Sequence, residues 1–185
     1  RLGQGVDATG QLAPDALART RAALADYAAL LRRHEVGKVR MVATSATRDA
    51  ANRDEFFAMT ADVLGPVVAG AVAEVISGAE EAELSFNGAV GELDPAAAPF
   101  VVVDLGGGST EVVLGDAAGV AASFSADIGC VRLTERCLHS DPPTVAEVAA
   151  ARDVVRERLG EALRAVPVDG AKTWVGAAGT FTTIA

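Results

Sequence analysis

One segment of the sequence could bind phosphate, because three glycines and two hydroxyl side chains lie between two carboxylates. Glycines have no Cβ atom, so their backbone N–H groups can surround an anion, and the hydroxyl groups add further donors. Asp104 before this loop could hold Mg²⁺ beside the phosphates, because carboxylate oxygens bind Mg²⁺, and Glu111 after the loop supplies a second carboxylate. A plain glycine-rich hairpin is the alternative, but it would not need both carboxylates. The candidate phosphate-binding residues are Gly106, Gly107, Gly108, Ser109 and Thr110.

A pair of adjacent acids, Glu80 and Glu81, could supply a general base. Ser77, followed three residues later by Glu80, predicts a capping box at a helix start, which gives Glu80 a structural role. Glu81 has no such role and lies in the first turn, where the positive end of the helix stabilises an anion. Judged by residue type alone, Glu81 is either a base or a solvated acid.

Two further turns could contact phosphate. Residues 44–48 follow a predicted buried strand, and ligands of open α/β sheets bind at the carboxyl ends of strands. Ser45 offers a hydroxyl there and Arg48 a guanidinium that matches phosphate oxygens, with a turn and a surface arginine as the equal alternative. A second glycine turn, which close helix packing would explain equally well, contains Gly176, Gly179 and Thr180.

Alternating helices and strands must position these residues. Periodicity and capping signals predict helices at 14–34, 52–64, from 77, at 129–138, from 144 and after 179, with strands at 39–43, 71–76, 100–104, 110–114, 120–124 and 173–175. Three consecutive strands followed by helix–strand units indicate an α/β protein with mixed sheets. A Rossmann or P-loop fold is excluded, because both place a helix directly after the glycine loop.

The same patterns predict the positions and roles of individual side chains. Capping boxes are predicted at Asn52 and Thr144, each followed three residues later by Glu. Leu84 is expected on the buried side of its helix and Trp174 in the core. Prolines at 95 and 99 mark a linker and the expected domain boundary. The helix from 144 should present one apolar face, formed by Val148, Val155, Leu159 and Leu163.

The composition and charge of the chain exclude several classes of protein. The chain has 185 residues, is 50% hydrophobic and 22% charged, and has no apolar stretch of the roughly 18–20 residues that span a membrane. Its net charge of −9 argues against general nucleic-acid binding. Residues 1–53 carry nine basic and five acidic side chains, which suits a small anionic ligand or a charged helix surface. Cys130 and Cys137 are about 10 Å apart on a predicted helix, too far for a disulfide, which indicates a reducing compartment and a cytoplasmic location.

With these residues in place, the sequence resembles the exopolyphosphatase / guanosine pentaphosphate phosphohydrolase (Ppx/GppA) family of the actin-like ATPase superfamily. The resemblance covers essentially the whole chain, and the Ser-Gly-x-Glu-Glu-Ala and Asp-x-Gly-Gly-Gly-Ser-Thr-Glu pair is specific to this family. The motifs that carry it are Arg1-Leu-Gly-Gln-Gly-Val-Asp7, Val42-Ala-Thr-Ser-Ala-Thr-Arg48, Ile76-Ser-Gly-Ala-Glu-Glu-Ala82, Val103-Asp-Leu-Gly-Gly-Gly-Ser-Thr-Glu111, Gly129-Cys-Val-Arg-Leu-Thr-Glu135 and Val175-Gly-Ala-Ala-Gly-Thr180.

The resemblance implies an actin-like (ribonuclease H-like) fold with flanking helices and two domains around a cleft, 1–92 from domain I and 93–185 from domain II. It implies Glu81 as the catalytic base, Asp104 and Glu111 as metal and water-positioning carboxylates, and 106–110 as the second phosphate loop. Arg48 matches a residue beside the polyphosphate path. The family's first phosphate loop is expected upstream of Arg1 and the rest of domain II downstream, so the resemblance implies a chain truncated at both ends.

The implied activity is a hydrolase of phosphoric anhydrides, an exopolyphosphatase that uses Mg²⁺ or another divalent cation to release terminal phosphate from polyphosphate. Hydrolysis of pppGpp to ppGpp is the second hypothesis. The third belongs to another class, a non-hydrolytic nucleotide-binding actin-like module or a kinase, because the turn at 176–180 resembles the superfamily's adenosine motif. Polyphosphate or pppGpp is the expected partner, without nucleic acid or membrane, and a homodimer is the candidate assembly.

Overall fold

The computed structural model describes the whole chain, Arg1–Ala185, and divides it into two compact units, Arg1–Ile76 and Ser77–Ala185. The division falls before the helix at 78–90, whereas the prolines had indicated a boundary after residue 92. The reason is that this helix packs on the strands of the second unit and so belongs with them. None of the helices is both long and apolar enough to cross a membrane.

The first unit places helices around a two-stranded parallel sheet. Its strands pair in register, with Val42 opposite Glu74. Leu24, Phe56 and Met59 lie together in a buried cluster, because two long helices pack against each other there. The elements are α1 (Val6–Thr9), α2 (Pro14–Arg33), β1 (Met41–Ala43), α3 (Ser45–Asp49), α4 (Arg53–Leu64) and β2 (Ala73–Val75).

The capping box predicted at Asn52 is wrong. Asn52 does precede α4, but its side chain makes no cap hydrogen bond. Its Oδ1 atom accepts from the Leu12 N–H at 2.8 Å, and its Nδ2 atom donates to the Leu12 carbonyl at 3.1 Å. Leu12 is buried in irregular structure, where its backbone groups need partners, and Asn52 supplies both.

The second unit is built on a four-stranded mixed sheet. The strand order is β5-β4-β3-β6, in which β3 is antiparallel to β4 and parallel to β6. The predicted α/β class with mixed sheets and flanking helices is confirmed. The elements are α5 (Gly78–Val90), β3 (Phe100–Leu105), β4 (Thr110–Asp116), β5 (Gly119–Ala126), α6 (Cys130–Cys137), α7 (Val145–Ala165), β6 (Thr173–Ala177) and α8 (Ala178–Ile184).

Helix α5 covers one face of this sheet. Its side chains Ala82 and Phe86, one turn apart, pack against Val102 and Val113. The expectation that Leu84 is buried is wrong, since it is 43% exposed. Leu84 lies two residues from both Ala82 and Phe86, about 200° around the helix, so the face that buries them turns it outward.

Helix α7 covers the opposite face through small residues. Ala162 packs against Val101 and Val112 there, which alternate with the residues that face α5. The predicted apolar face is therefore not the sheet-facing one: Val148, Leu159 and Leu163 are 37–54% exposed. Trp174 is 59% exposed on the edge strand β6, so its assignment to the core is also wrong.

The capping box at Thr144 is confirmed in full. The Thr144 hydroxyl accepts from the Glu147 N–H at 3.2 Å, and Glu147 Oε2 accepts from the Thr144 N–H at 2.6 Å. Glu147 Oε1 also accepts from the backbone N–H groups of His139 and Ser140. These donors, the Thr144 backbone first, lower the pKa of Glu147 from 4.5 to about 2.

This pKa predicts a pH-dependent contribution to stability. A carboxylate with a lowered pKa stabilises the fold above its ordinary value of 4.5 and loses that effect as the pH falls towards about 2. Glu147→Gln should therefore lower the melting temperature at pH 7, and the difference should vanish between about pH 4.5 and pH 2. Thermal melts followed by circular dichroism test this, with the exposed Glu157→Gln on the same helix as control. A difference that persists at pH 2 would contradict the assignment.

Candidate active site

A row of polar side chains crosses three strands of the second unit. Asp104 on β3 pairs in register with Glu111 on β4, and Glu111 pairs with Ser125 on β5. Directly opposed residues point to the same face of a sheet, so the three side chains lie next to one another. The row adjoins the glycine loop, because that loop joins the end of β3 to the start of β4.

Two serines fix the carboxylates of this row. Ser85 Oγ on α5 donates to Asp104 Oδ2 at 2.6 Å. Ser125 Oγ donates to Glu111 Oε1 at 2.8 Å. Hydrogen bonds to an ionised acceptor are among the stronger ones in proteins, so both carboxylates have a defined orientation. Asp104 is the more accessible of the two, since it is half-buried and Glu111 is 1% exposed.

Helix α5 places Glu81 over this row. At one end, a Cβ atom on Gly78 would lie only 2.9 Å from the Ser125 Cβ, and at the other Ser85 bonds to Asp104. Glu81 is three residues after Gly78 and four before Ser85, the spacing of a single helix face. It therefore faces the row between these contacts, and its Oε2 atom is buried. Helix α5 thus carries the candidate base on the face that packs on the row of Asp104, Glu111 and Ser125.

The start of α5 confirms the serine half of the predicted capping box, and a bond from the Glu80 side chain back to Ser77 stays a prediction. The Ser77 hydroxyl accepts a hydrogen bond from the Glu80 N–H at 3.1 Å, which confirms Ser77 as the N-cap. This cap fixes where the helix begins and hence which residues face the sheet. Glu80 and Glu81 both lie in the first turn, where the helix dipole stabilises their negative charge.

Burial raises the pKa of Glu111. Removal from water is the largest cause, the hydroxyl groups of Ser125 and Ser109 act in the opposite direction, and the negative charge of Asp104 raises the pKa further. The ionised carboxylate is therefore less stable in the folded chain than in water. A buried acid of this kind beside a second carboxylate is typical of a functional site.

The raised pKa predicts that Glu111 costs stability at neutral pH. The fold is most stable, with respect to this group, below the ordinary value of 4.5, and stability falls as the pH rises through the raised pKa. In the presence of a chelator, Glu111→Gln should raise the melting temperature at pH 7 by several degrees, and the gain should disappear below pH 4.5. Melts of Glu111→Gln beside the exposed Glu92→Gln test this. A loss of stability at pH 7 would contradict it.

The backbone N–H groups at the start of helix α6 bond to the carbonyl groups of the glycine loop. The first three N–H groups of the helix, those of Cys130, Val131 and Arg132, donate to the carbonyls of Gly106 and Gly107 at 2.9–3.1 Å. In a planar trans peptide the N–H points opposite to the C=O. The loop N–H groups that follow these carbonyls therefore point away from α6, which is the arrangement that an anion requires.

Gly129 and Thr110 hold the segment before α6 close to the loop. A Cβ atom on Gly129, just before α6, would lie 2.4 Å from the carbonyl carbon and oxygen of Gly107, so only glycine fits there. The Thr110 hydroxyl donates to the Ile128 carbonyl at 2.7 Å. The single hydroxyl proton of Thr110 is therefore donated to the chain before α6. Ser109 is the loop residue whose hydroxyl group lies close to Glu111.

The two glycine turns of the second unit line one pocket of about 530 Å³. Gly106 and Gly107 form one side of it, and Gly179 and Thr180 at the start of α8 form another. Gly176 has a different role, because a Cβ atom there would lie 2.4 Å from the ring of Phe181. Helix packing therefore accounts for Gly176, whereas Gly179 and Thr180 stay in the predicted ligand-binding set.

Ser45 and Arg48 belong to the first unit. They lie on the short helix α3, directly after β1, at the carboxyl end of a strand as predicted. Ser45 is 5% exposed, and Arg48 Nη1 donates to the carbonyl of Ile76 at 2.9 Å. The segment is a helical turn tied to the chain after β2, and its contact with phosphate stays a prediction.

Three residues that contact the carboxylate row or the glycine loop were missed from the sequence, namely Ser85, Ser125 and Arg132. Ser85 could have been found, because it lies four residues after Glu81 on the same helix face. Ser125 becomes significant only once β5 is paired with β4, since serines in strands are common. Arg132 lies within a family motif, but its contact with the loop depends on how α6 packs.

Comparisons with known proteins find similar sequences over the whole chain. The model of the Ppx/GppA phosphatase family matches residues 1–185. Exopolyphosphatase 2 of Mycobacterium tuberculosis is 72% identical over 184 residues, which cover 100% of this chain and 57% of that protein. A guanosine-5'-triphosphate,3'-diphosphate pyrophosphatase of Photobacterium profundum is 33% identical over 180 residues, 97% of this chain and 35% of that protein.

Solved structures of similar proteins also match the whole chain. An exopolyphosphatase-like protein has a TM-score of 0.92 at 45% identity, covering 100% of this chain and 58% of its own. An exopolyphosphatase from Cytophaga hutchinsonii has a TM-score of 0.85 at 29% identity, with 57% of its chain covered. A Ppx/GppA family member from Aquifex aeolicus has a TM-score of 0.73 at 35% identity, with 56% covered. The chain spans less than three fifths of these relatives, and it belongs to the Ppx/GppA phosphatase family.

Proposed function

We propose that a protein carrying this chain hydrolyses terminal phosphate from inorganic polyphosphate, as a Mg²⁺-dependent exopolyphosphatase. The observation that carries the proposal is the position of Glu81 over the carboxylate row, beside a loop whose N–H groups point outward. The 72% identity to a protein named exopolyphosphatase 2 supports it. Because the chain spans 57% of that relative, the proposal concerns a protein of the relatives' full length.

The donor set suits Mg²⁺. Mg²⁺ usually keeps several waters and is bound through one or two carboxylates together with substrate phosphates. Asp104 and Glu111 supply two carboxylates, and the chain has no cluster of three or more acidic, histidine or cysteine side chains that could hold a metal alone. Asp104 is the better placed ligand, because it is more accessible and Ser85 occupies only its Oδ2 atom. A bound Mg²⁺, or another divalent cation, would neutralise phosphate charge.

The residues of the row would act on a water molecule and the terminal phosphate. Glu81 would accept a proton as the water oxygen attacks phosphorus, while the bond to the remaining chain breaks and that chain leaves with the electron pair. General-base action of this kind contributes about 10²–10⁴-fold. The N–H groups of Gly107, Gly108 and Ser109 would stabilise negative charge on the equatorial oxygens.

Hydrolysis of pppGpp to ppGpp is the second candidate. The 33% identity to a guanosine-5'-triphosphate,3'-diphosphate pyrophosphatase favours it, and the same base, carboxylates and loop would serve both reactions. The third candidate is a nucleotide-binding module or a kinase, which the pocket between the two glycine turns favours. Against a kinase, Glu81 suits the activation of water, whereas a kinase transfers phosphate to an acceptor. A cytoplasmic location and a homodimeric assembly stay predictions.

Phosphate release distinguishes these candidates. The substrates are short polyphosphate, long polyphosphate, pppGpp and ATP, each with Mg²⁺ and with a chelator, and the protein is one that carries this sequence at the relatives' full length. We expect Mg²⁺-dependent release that is fastest from polyphosphate. Faster release from pppGpp would favour the second candidate, and ATP binding without any release would overturn the hydrolase assignment.

A further inference from the structure

We propose that Arg132 is a positioning residue, which orients the last of the loop N–H groups, that of Ser109, for contact with phosphate. The inference deepens the proposed function and rests on it. Arg132 Nε donates to the carbonyl oxygen of Gly108 at 2.7 Å. The peptide between Gly108 and Ser109 is planar and trans, so fixing the carbonyl also fixes the direction of the Ser109 N–H.

A side chain is required here because the backbone of α6 has no donor left. The N–H groups of the first three residues bond to the carbonyls of Gly106 and Gly107. The next N–H, that of Leu133, donates to the Gly129 carbonyl at 2.9 Å and so closes the first turn of the helix. Only a few N–H groups at a helix start lack intrahelical partners, and none remains for Gly108.

The geometry of the arginine side chain, and not only its positive charge, suits this contact. Nε lies inside the planar guanidinium group and donates in a fixed direction, whereas lysine has only a terminal ammonium on a flexible chain. Arg132 is half-buried and contacts the loop from the side of α6, opposite to the outward N–H groups. If Arg132 instead acted only as a positive charge that attracts a polyanion, lysine would replace it with little loss.

The direct test measures loop order without any substrate. The variants are Arg132→Lys, Arg132→Met as a second variant that has no donor at the position of Nε, and Arg136→Lys as the control one turn further along α6, all in a protein of the relatives' length. We expect the ¹⁵N order parameter of Ser109 to fall from about 0.85 to below about 0.6 in both Arg132 variants and to stay unchanged in the control. An unchanged Ser109 in either folded Arg132 variant would overturn the proposal.

Kinetics on polyphosphate give the functional test. Misplacement of a group that contacts the transition state lowers kcat, so Arg132→Lys should lower kcat about 10–100-fold with KM changed less than about threefold. Arg136→Lys should match the unsubstituted protein. A rise in KM with kcat retained, or full activity in Arg132→Lys, would overturn the positioning role. If the unsubstituted protein releases no phosphate, the proposed function fails, while the Ser109 order parameter still decides whether Arg132 orients the loop.

Discussion

Glu81→Gln is expected to lower the release of phosphate from polyphosphate by about 10²–10⁴-fold, the range of general-base catalysis. Glutamine keeps the size of the side chain but cannot accept the proton of the attacking water. The loss should appear in kcat, with KM changed little, because the phosphate loop and the carboxylate row stay in place. Steady-state rates with Mg²⁺ measure it, in a protein of the relatives' full length.

The adjacent residue provides a matched control. Glu80→Gln makes the same chemical change one position away, in the same helical turn, and its backbone bond to the Ser77 hydroxyl is retained. Glu80→Gln should keep activity within about threefold, far less than the 10²–10⁴-fold loss expected of a base. Equal losses in the two variants would indicate that general electrostatics of the turn matter, and would remove Glu81 from the role of base.

Gly129→Ala should cause the second large effect, through the backbone of the phosphate loop. Its Cβ atom would lie 2.4 Å from the carbonyl carbon and oxygen of Gly107, so the loop or the start of α6 must move. Overpacking of this kind costs about 1–3 kcal/mol in unfolding free energy. A shift of about 1 Å in a loop that contacts the transition state can lower the rate about 100-fold. Thermal melts and phosphate release together measure both effects.

A glycine elsewhere in the same unit separates this contact from the general effect of replacing glycine. Gly88 on α5 has no atom within 4 Å of the position of an added Cβ. Gly88→Ala should leave activity unchanged and raise stability by about 0.5–1 kcal/mol, as alanine does in helices. Full activity in Gly129→Ala would show that the loop tolerates the shift and that its N–H groups do not contact the transition state.

Local sequence patterns predicted the elements well but their boundaries less well. The helix from Pro14 ends at Arg33, one residue from the expected His34, because proline and the apolar period fix a long helix strongly. The two short strands of the first unit are each three residues long, shorter than the apolar runs that predicted them. Pairing with one neighbour, rather than composition, sets the length of such strands.

Side-chain burial was predicted less reliably. The apolar residues of α7 suggested one packed face, yet the helix approaches the sheet through Ala162, because a small side chain allows close contact. Asn52 looked like a cap and instead bonds to Leu12, forty residues away. Contacts of this kind depend on partners far along the chain, which periodicity does not report.

The sequence by itself determined the chemical groups of the candidate site. The glycine loop with its flanking acids, and the adjacent glutamates after Ser77, are local motifs whose residue types and spacing carry their own physical meaning. The family also followed from these motifs, and the comparisons confirm it.

Only the tertiary structure decided how these groups meet. Strand pairing sets Asp104, Glu111 and Ser125 in one row, and the packing of α5 places Glu81 over it. The bonds from α6 turn the loop carbonyls inward and its N–H groups outward. These arrangements arise from register and packing between segments distant in the chain, so no local spacing in the sequence contains them.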